Sequence, residues 1–225
     1  MRGRGVPSRP AGGRPGVIQM KHDQVSLSGL ATALANLSIA LLFAFFAAAH
    51  LANFARHHRP SAILVVVLEA LFAFFVLVRA PADKSSFAPW DSMVTLGGTL
   101  TPLLLRPDQG HHDLIAGEVI QVIGTCLAVL GVLSLNRSFG LLPAHRDIKR
   151  AGMYRWVRHP LYCAYTVSNA GYLINNFNVL NLVLVLAALA FQVLRIFSEE
   201  RFLSQYPSYA DYKARTRWRL IPFIY

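Results

Sequence analysis

Residues 152–162, GMYRWVRHPLY, place three basic residues and two tyrosines at the start of an apolar run. Arg155 and Arg158 stand three apart and on a helical turn would share a face. Pro160 disfavours helix at His159 and is itself suited to a helix start. The spacing therefore predicts a loop carrying Arg158 and His159 and a helix beginning at Pro160. Its first amides would point back at that loop and form a seat for an anion such as a carboxylate. The plainer role for the two arginines is to reach up to lipid phosphates.

A second cluster, RIFSEERF at 195–202, closes another apolar run. Arg195 and Glu199 form an i,i+4 pair, which leaves Glu200 without a helical partner. If the acidic couplet faced Arg158 and His159, the four would make a charged cup at the edge of the hydrocarbon. Ionisable groups at that depth are costly, so they mark function more often than chance would. The alternative is a salt-bridge cluster that only anchors the helix end. No Ser-His-Asp order, HExxH or GxGxxG is present, and no metal is expected. The histidine pairs at 57–58 and 111–112 read as solvated interfacial residues. An anion seat and carboxylates under an apolar canopy could hold a zwitterionic cofactor beside a lipophilic substrate. They do not name a reaction.

What must position these residues is a membrane bundle. Of the 225 residues, 54% are hydrophobic and 15% charged, where a soluble domain has about a quarter charged. The excess comes in blocks at 30–52, 61–78, 114–135 and 178–197, each long enough as helix to cross hydrocarbon. Residues 87–105, with two prolines, a glycine pair and Asp91, read as a kinked or broken helix. Residues 160–177 are apolar but laced with Tyr, Ser and Asn, which suits a cavity wall better than a lipid face. The expected fold is all-α: a polytopic membrane helix bundle of five to six transmembrane helices with a cytoplasmic cofactor pocket in its C-terminal half. Glu69 and Glu118, each the single acid in its run, mark a candidate acceptor tunnel.

The formal charge of +11 suggests nucleic acid until its distribution is plotted. With six spans, eighteen Lys and Arg fall on one side and three on the other. That is the positive-inside pattern with both termini cytoplasmic, and it directs the charge to lipid headgroups rather than to nucleic acid. Residues 1–29 read as a disordered basic N-terminus and 30–135 as transmembrane helices on the acceptor side. Residues 136–225 are the region where polar groups gather, opening with a 17-residue polar connector and ending in a Tyr-, Arg- and Trp-rich tail suited to the membrane interface.

GMYRWVRHPLY, then NAGYLI, RIFSEERFL and YADYKARTRWRLIP resemble the isoprenylcysteine carboxyl methyltransferase and phospholipid N-methyltransferase families of membrane enzymes. The order and spacing match from about residue 136 to 225; residues 1–135 match only as generic spans. The resemblance implies S-adenosylmethionine as cofactor, held by the last two spans and their loops. Gly152 and Tyr154 would shape the loop leading in, and Arg158, His159, Pro160 and Tyr162 would hold the cofactor. Glu199 and Glu200 would face it beside Arg195 as the catalytic group, with either glutamate able to bind its amino or hydroxyl groups. The family often has Gly two residues after the motif tyrosine; here it is Ala164, still small. The implied partners are the bilayer, in a bacterial inner membrane, and a lipophilic or prenylated substrate. On this resemblance the acceptor would be an isoprenylcysteine carboxylate, a lipid amine or a thiol, and residues 30–135 do not select among them. Two other readings stand beside this one. A steroid-reductase-like enzyme would use a dinucleotide, and a non-catalytic bundle such as a transporter would be expected to show paired broken helices.

Overall fold

The structure, a computed structural model, describes residues 15–107 and 114–224, with side chains from Gly29 onward except His57. Among the described residues seven α-helices run in order: α1 (Pro15–His57), α2 (Pro60–Val78), α3 (Pro89–Leu100), α4 (Ile115–Leu135), α5 (Pro160–Asn175), α6 (Val179–Leu203) and α7 (Pro207–Arg215). Five open on proline, whose fixed φ and missing N–H cost nothing in a first turn. α6 is opened by Asn178, whose side chain accepts from the Asn181 amide. The broken helix expected at 87–105 is α3 followed by a 3₁₀ turn at Thr101–Leu104.

Four helical stretches are long and apolar enough to cross a membrane: Gly29–Arg56, Pro60–Val78, Ile115–Ser138 and Val179–Leu203. The protein is thus an all-α membrane bundle. Its outer faces carry large apolar side chains, Phe45 and Val179 among them, that in water would be a liability and in lipid are solvated. The expected disordered stretch of 1–29 lies partly outside the described residues; from Pro15 on the backbone is helical, no Gly or Pro interrupting it between 17 and 28. The histidine pair at 111–112 also lies outside them.

α4 and α5 are the closest pair. A Cβ on Gly124 would lie 2.3 Å from the Ser168 amide nitrogen, and one on Gly171 would lie 2.3 Å from that of Gln121. The two backbones touch, as small residues permit between helices in lipid. α2 packs beside them through Val76, Ala128, Val132 and Ala164, all within 1% of full burial, and Phe72 stacks on Phe139 at 5.1 Å. α3 is seated on α6, Gly97 against the Phe191 ring. Buried Asp91 accepts from Ser198 and Ser86 and pins α3 to the end of α6.

The ends of α2, α4 and α6 and the start of α5 converge, so the segments 79–88, 136–159 and 204–224 gather at one end of the bundle. There a two-residue antiparallel ribbon, Lys84–Ser85 (β1) with Ala144–His145 (β2), joins two of these segments. At the opposite end Asn181 closes the bundle. Its amide donates to the carbonyls of Arg106 and Asn176, and its oxygen accepts from the Arg106 amide.

Candidate functional site

Glu200 is the hub of the converging end. It is buried on α6, and its Oε1 accepts from Arg158 Nε at 2.7 Å and lies 3.3 Å from His159 Nε2. Its Oε2 accepts from Arg219 Nε at 3.1 Å, with Lys213 Nζ at 3.9 Å. Arg158 is used further: its Nη1 donates to the carbonyls of Thr216 and Arg217 at 2.9 and 2.8 Å. The amides of Arg158 and His159 donate to the carbonyls of Trp218 and Arg219, and Val157 bridges Trp218 in parallel. The RHP motif is therefore clasped by the C-terminal tail on one side and by Glu200 on the other.

The loop before α5 is shaped by Gly152, whose φ of +60° favours glycine and whose Cβ would meet Ser134 Oγ at 2.5 Å. α5 starts at Pro160 as the spacing predicts. Arg155 and Arg158 do not share a face, a correction to the sequence reading. The 3₁₀ turn at Gly152–Arg155 ends between them, so exposed Arg155 lies over the Trp156 ring at 4.6 Å while Arg158 turns inward. The tail is corrected too. α7 buries Tyr209 and Tyr212, and Tyr212 Oη donates to the Tyr154 carbonyl at 2.7 Å. Its tyrosines face protein rather than the membrane interface.

A cavity of about 670 Å³ opens beneath this clasp. Of the candidate site residues, Tyr154, Arg158, His159, Tyr162, Arg195 and Glu199 line it; Gly152, Pro160 and Glu200 stand behind. Tyr162 Oη donates to Glu199 Oε1. Arg195 lies 3.7 Å from that same oxygen, places its guanidinium over the Tyr162 ring at 5.3 Å, and donates from Nη2 to the Leu141 carbonyl at 2.8 Å. Glu199 Oε2 is 3.8 Å from His159 Nδ1. The connector between α4 and the motif contributes 138–144 and 146–149 to the cavity wall.

At the niche end of this wall Arg195 Nε and Tyr209 Oη are buried without a hydrogen-bond partner. Such atoms cost about 1–3 kcal/mol each and ask for a ligand group. A guanidinium with a free donor beside a carboxylate is the donor set that a bound amino acid requires, a cation for its carboxylate and an anion for its ammonium. The residues present fit S-adenosylmethionine on that account. Outside the spans, burial pushes the phenols of Tyr154, Tyr209 and Tyr212 up, so these line the mouth as neutral donors. Burial and the nearby Arg79 charge lower Arg146, also in the wall, to about 10. Among the described residues no group of three His, Cys, Asp or Glu is disposed to hold a metal ion.

The sequence reading missed Gln192, Tyr165, Tyr209 and Tyr212, all in the cavity wall. Gln192 sits one turn before Arg195, and its polarity inside an apolar run was the available signal. Tyr209 and Tyr212 are three apart in the tail. Of the two glutamates marked as tunnel residues, Glu69 lines the cavity. Glu118 instead accepts from the Ser61 amide and hydroxyl at 2.7 and 3.0 Å, which caps the start of α2.

Residues 115–205, from the start of α4 to just beyond α6, match the model of the isoprenylcysteine carboxyl methyltransferase (ICMT) family. The match thus spans α4 to α6, the helices that build the niche, and the four membrane-length apolar stretches make the protein an integral membrane protein. A relative from Arabidopsis thaliana, protein-S-isoprenylcysteine O-methyltransferase A, is 27% identical over 139 residues, covering 56% of this chain and 68% of the relative.

Proposed function

We propose that the protein transfers a methyl group from S-adenosylmethionine to a lipophilic acceptor of the isoprenylcysteine carboxylate type. One observation carries the reading. The cavity joins a charged niche, Arg195, Glu199, His159 and Tyr162, to walls built from Phe43, Phe46, Leu68 and Phe72. A water-soluble donor and an oily acceptor can meet there although neither would enter the other's solvent.

When bound, the cofactor supplies an electrophilic methyl on a sulfonium, and the protein's task is to position and to dry. Arg195 has a free Nε for a carboxylate, and Glu199 an oxygen pair for an ammonium or hydroxyl. Glu200 touches neither reactant in this reading; it fixes Arg158 and His159 so that their ring and stem form a rigid wall. The connector at 138–149, held by Arg195 through the Leu141 carbonyl, excludes water from the mouth. Orientation of this kind supplies about 7–11 kcal/mol of a barrier, enough to make an added acid unnecessary for a displacement in which charge is dispersed.

The fuller topology belongs to the same proposal: α5 and α3 with its 3₁₀ turn complete six passes. The niche and both termini then lie on the cytoplasmic side, which the eighteen-to-three distribution of Lys and Arg supports. The test is incubation with methyl-labelled cofactor and either a membrane lipid extract or an S-prenylated cysteine. Label in an ester of the prenylated cysteine supports the assignment. Calorimetric binding of a dinucleotide but not of S-adenosylmethionine would overturn it in favour of a reductase.

A further inference from the structure

The cavity does not end in hydrocarbon. Past the Phe43 and Phe72 rings its wall turns polar again, with His50 on α1, Glu69 on α2, Thr99 on α3, Gln121 on α4 and Asn169 on α5. Five helices contribute hydrogen-bonding side chains to this part of the wall, Asn53 and Tyr172 among the others. Glu69 is 6% exposed, its Oε2 has no partner, and the closest cation-forming group, His50 Nε2, lies 3.7 Å from the other oxygen, beyond hydrogen-bond reach. Thr99 Oγ1 is likewise buried without a partner. Asn169 stands eight residues along α5 from Leu161 at the niche end, about 12 Å at 1.5 Å per residue.

A wholly hydrocarbon tail filling the cavity would seal these groups against grease, the environment in which an unpaired polar atom costs most. We infer that the guest is polar at both ends. Its methyl-accepting group lies at the niche end, beside the cofactor that Arg195 and Glu199 hold, and a hydrogen-bond-donating group, a hydroxyl or amine at the far end of its chain, meets the carboxyl of Glu69. This rests on the reading above that the cavity receives the acceptor; among such acceptors it favours chains with a polar terminus over a plain prenyl chain.

The experiment compares two probes on the full-length protein in lipid nanodiscs saturated with cofactor: S-decylcysteine and S-(10-hydroxydecyl)cysteine. Dissociation constants are measured by calorimetry for the unsubstituted protein, Glu69→Gln and Glu69→Leu. The hydroxylated probe binds about tenfold tighter to the unsubstituted protein. Glu69→Gln, which keeps shape and hydrogen-bonding capacity, retains most of that preference, and Glu69→Leu abolishes or reverses it. Equal affinity for both probes, or a preference unchanged in Glu69→Leu, overturns this inference and leaves the proposed function standing. Binding of neither probe overturns the acceptor-cavity reading and this inference with it.

Discussion

Arg158 Nε donates to Glu200 Oε1 across 2.7 Å and 42 positions of sequence, with both side chains buried. The pair joins the loop before α5 to the last turns of α6, and through Thr216 and Arg217 it also holds the tail. A buried charge left without its partner costs about 3–5 kcal/mol. Glu200→Ala should therefore lower unfolding stability in detergent by about 3 kcal/mol and abolish cofactor binding, while membrane insertion persists. Arg158→Ala should do the same, and the double variant should lose less than the two singles combined. Unchanged calorimetric binding in both singles would remove these residues from the site.

Glu199 plays a different part, because it faces the cavity and not the tail. Glu199→Gln keeps the shape and the bond from Tyr162 but removes the charge. We expect cofactor affinity to fall by about tenfold to a hundredfold, with a smaller stability loss than in Glu200→Ala because Arg195 keeps its bond to the Leu141 carbonyl. A large stability loss without an affinity loss would make it a structural residue.

The glycine seam between α4 and α5 gives a prediction independent of the chemistry. The atoms a Cβ would meet at Gly124 and Gly171 are backbone, not the ends of flexible side chains. Gly171→Ala should cost at least about 2 kcal/mol in thermal unfolding, where most helix Gly→Ala changes gain. A neutral or stabilising result would show that the helices can part.

Alkaline pH should unfasten the tail. Burial pushes the phenols of Tyr154, Tyr209 and Tyr212 above their ordinary value of about 10. The folded chain therefore keeps protons that the unfolded chain releases near that pH. The stability these groups contribute is fully present below about pH 10 and is lost as pH climbs toward their folded values. The melting temperature should drop as pH rises above about 10, and Tyr209→Phe, which deletes one such group, should flatten the drop. Arg146 acts in the opposite sense, since its lowered value makes the folded chain release its proton first.

Much of this was legible in the residues. Apolar blocks gave the long helices, and Pro160 gave the start of α5, because a ring without an N–H dictates local geometry. Arg195, Glu199 and His159 could be placed together because the charges in two apolar runs had few other partners. The tail clasp was not legible. Its bonds run from Arg158 to backbone carbonyls of Thr216 and Arg217, and a carbonyl leaves no mark in sequence. Nor could Glu199 be told from Glu200: adjacent helical residues point about 100° apart, and only the neighbouring loop decides which one meets the cavity. In lipid, moreover, inner and outer helix faces are both apolar, so the periodicity that marks a buried stripe in water is muted here.

The contact between Gly124 and Ser168 and that between Gly171 and Gln121 bear on selectivity. Two rods in skeletal contact have no pliable padding to rearrange, so that wall has a fixed calibre. Room for a wider visitor has to come from the opposite partition, where α1 and α2 meet through bulky rings. On the proposed function, differences in acceptor girth among related chains should then trace to those first two rods, while the rest of the enclosure keeps one gauge.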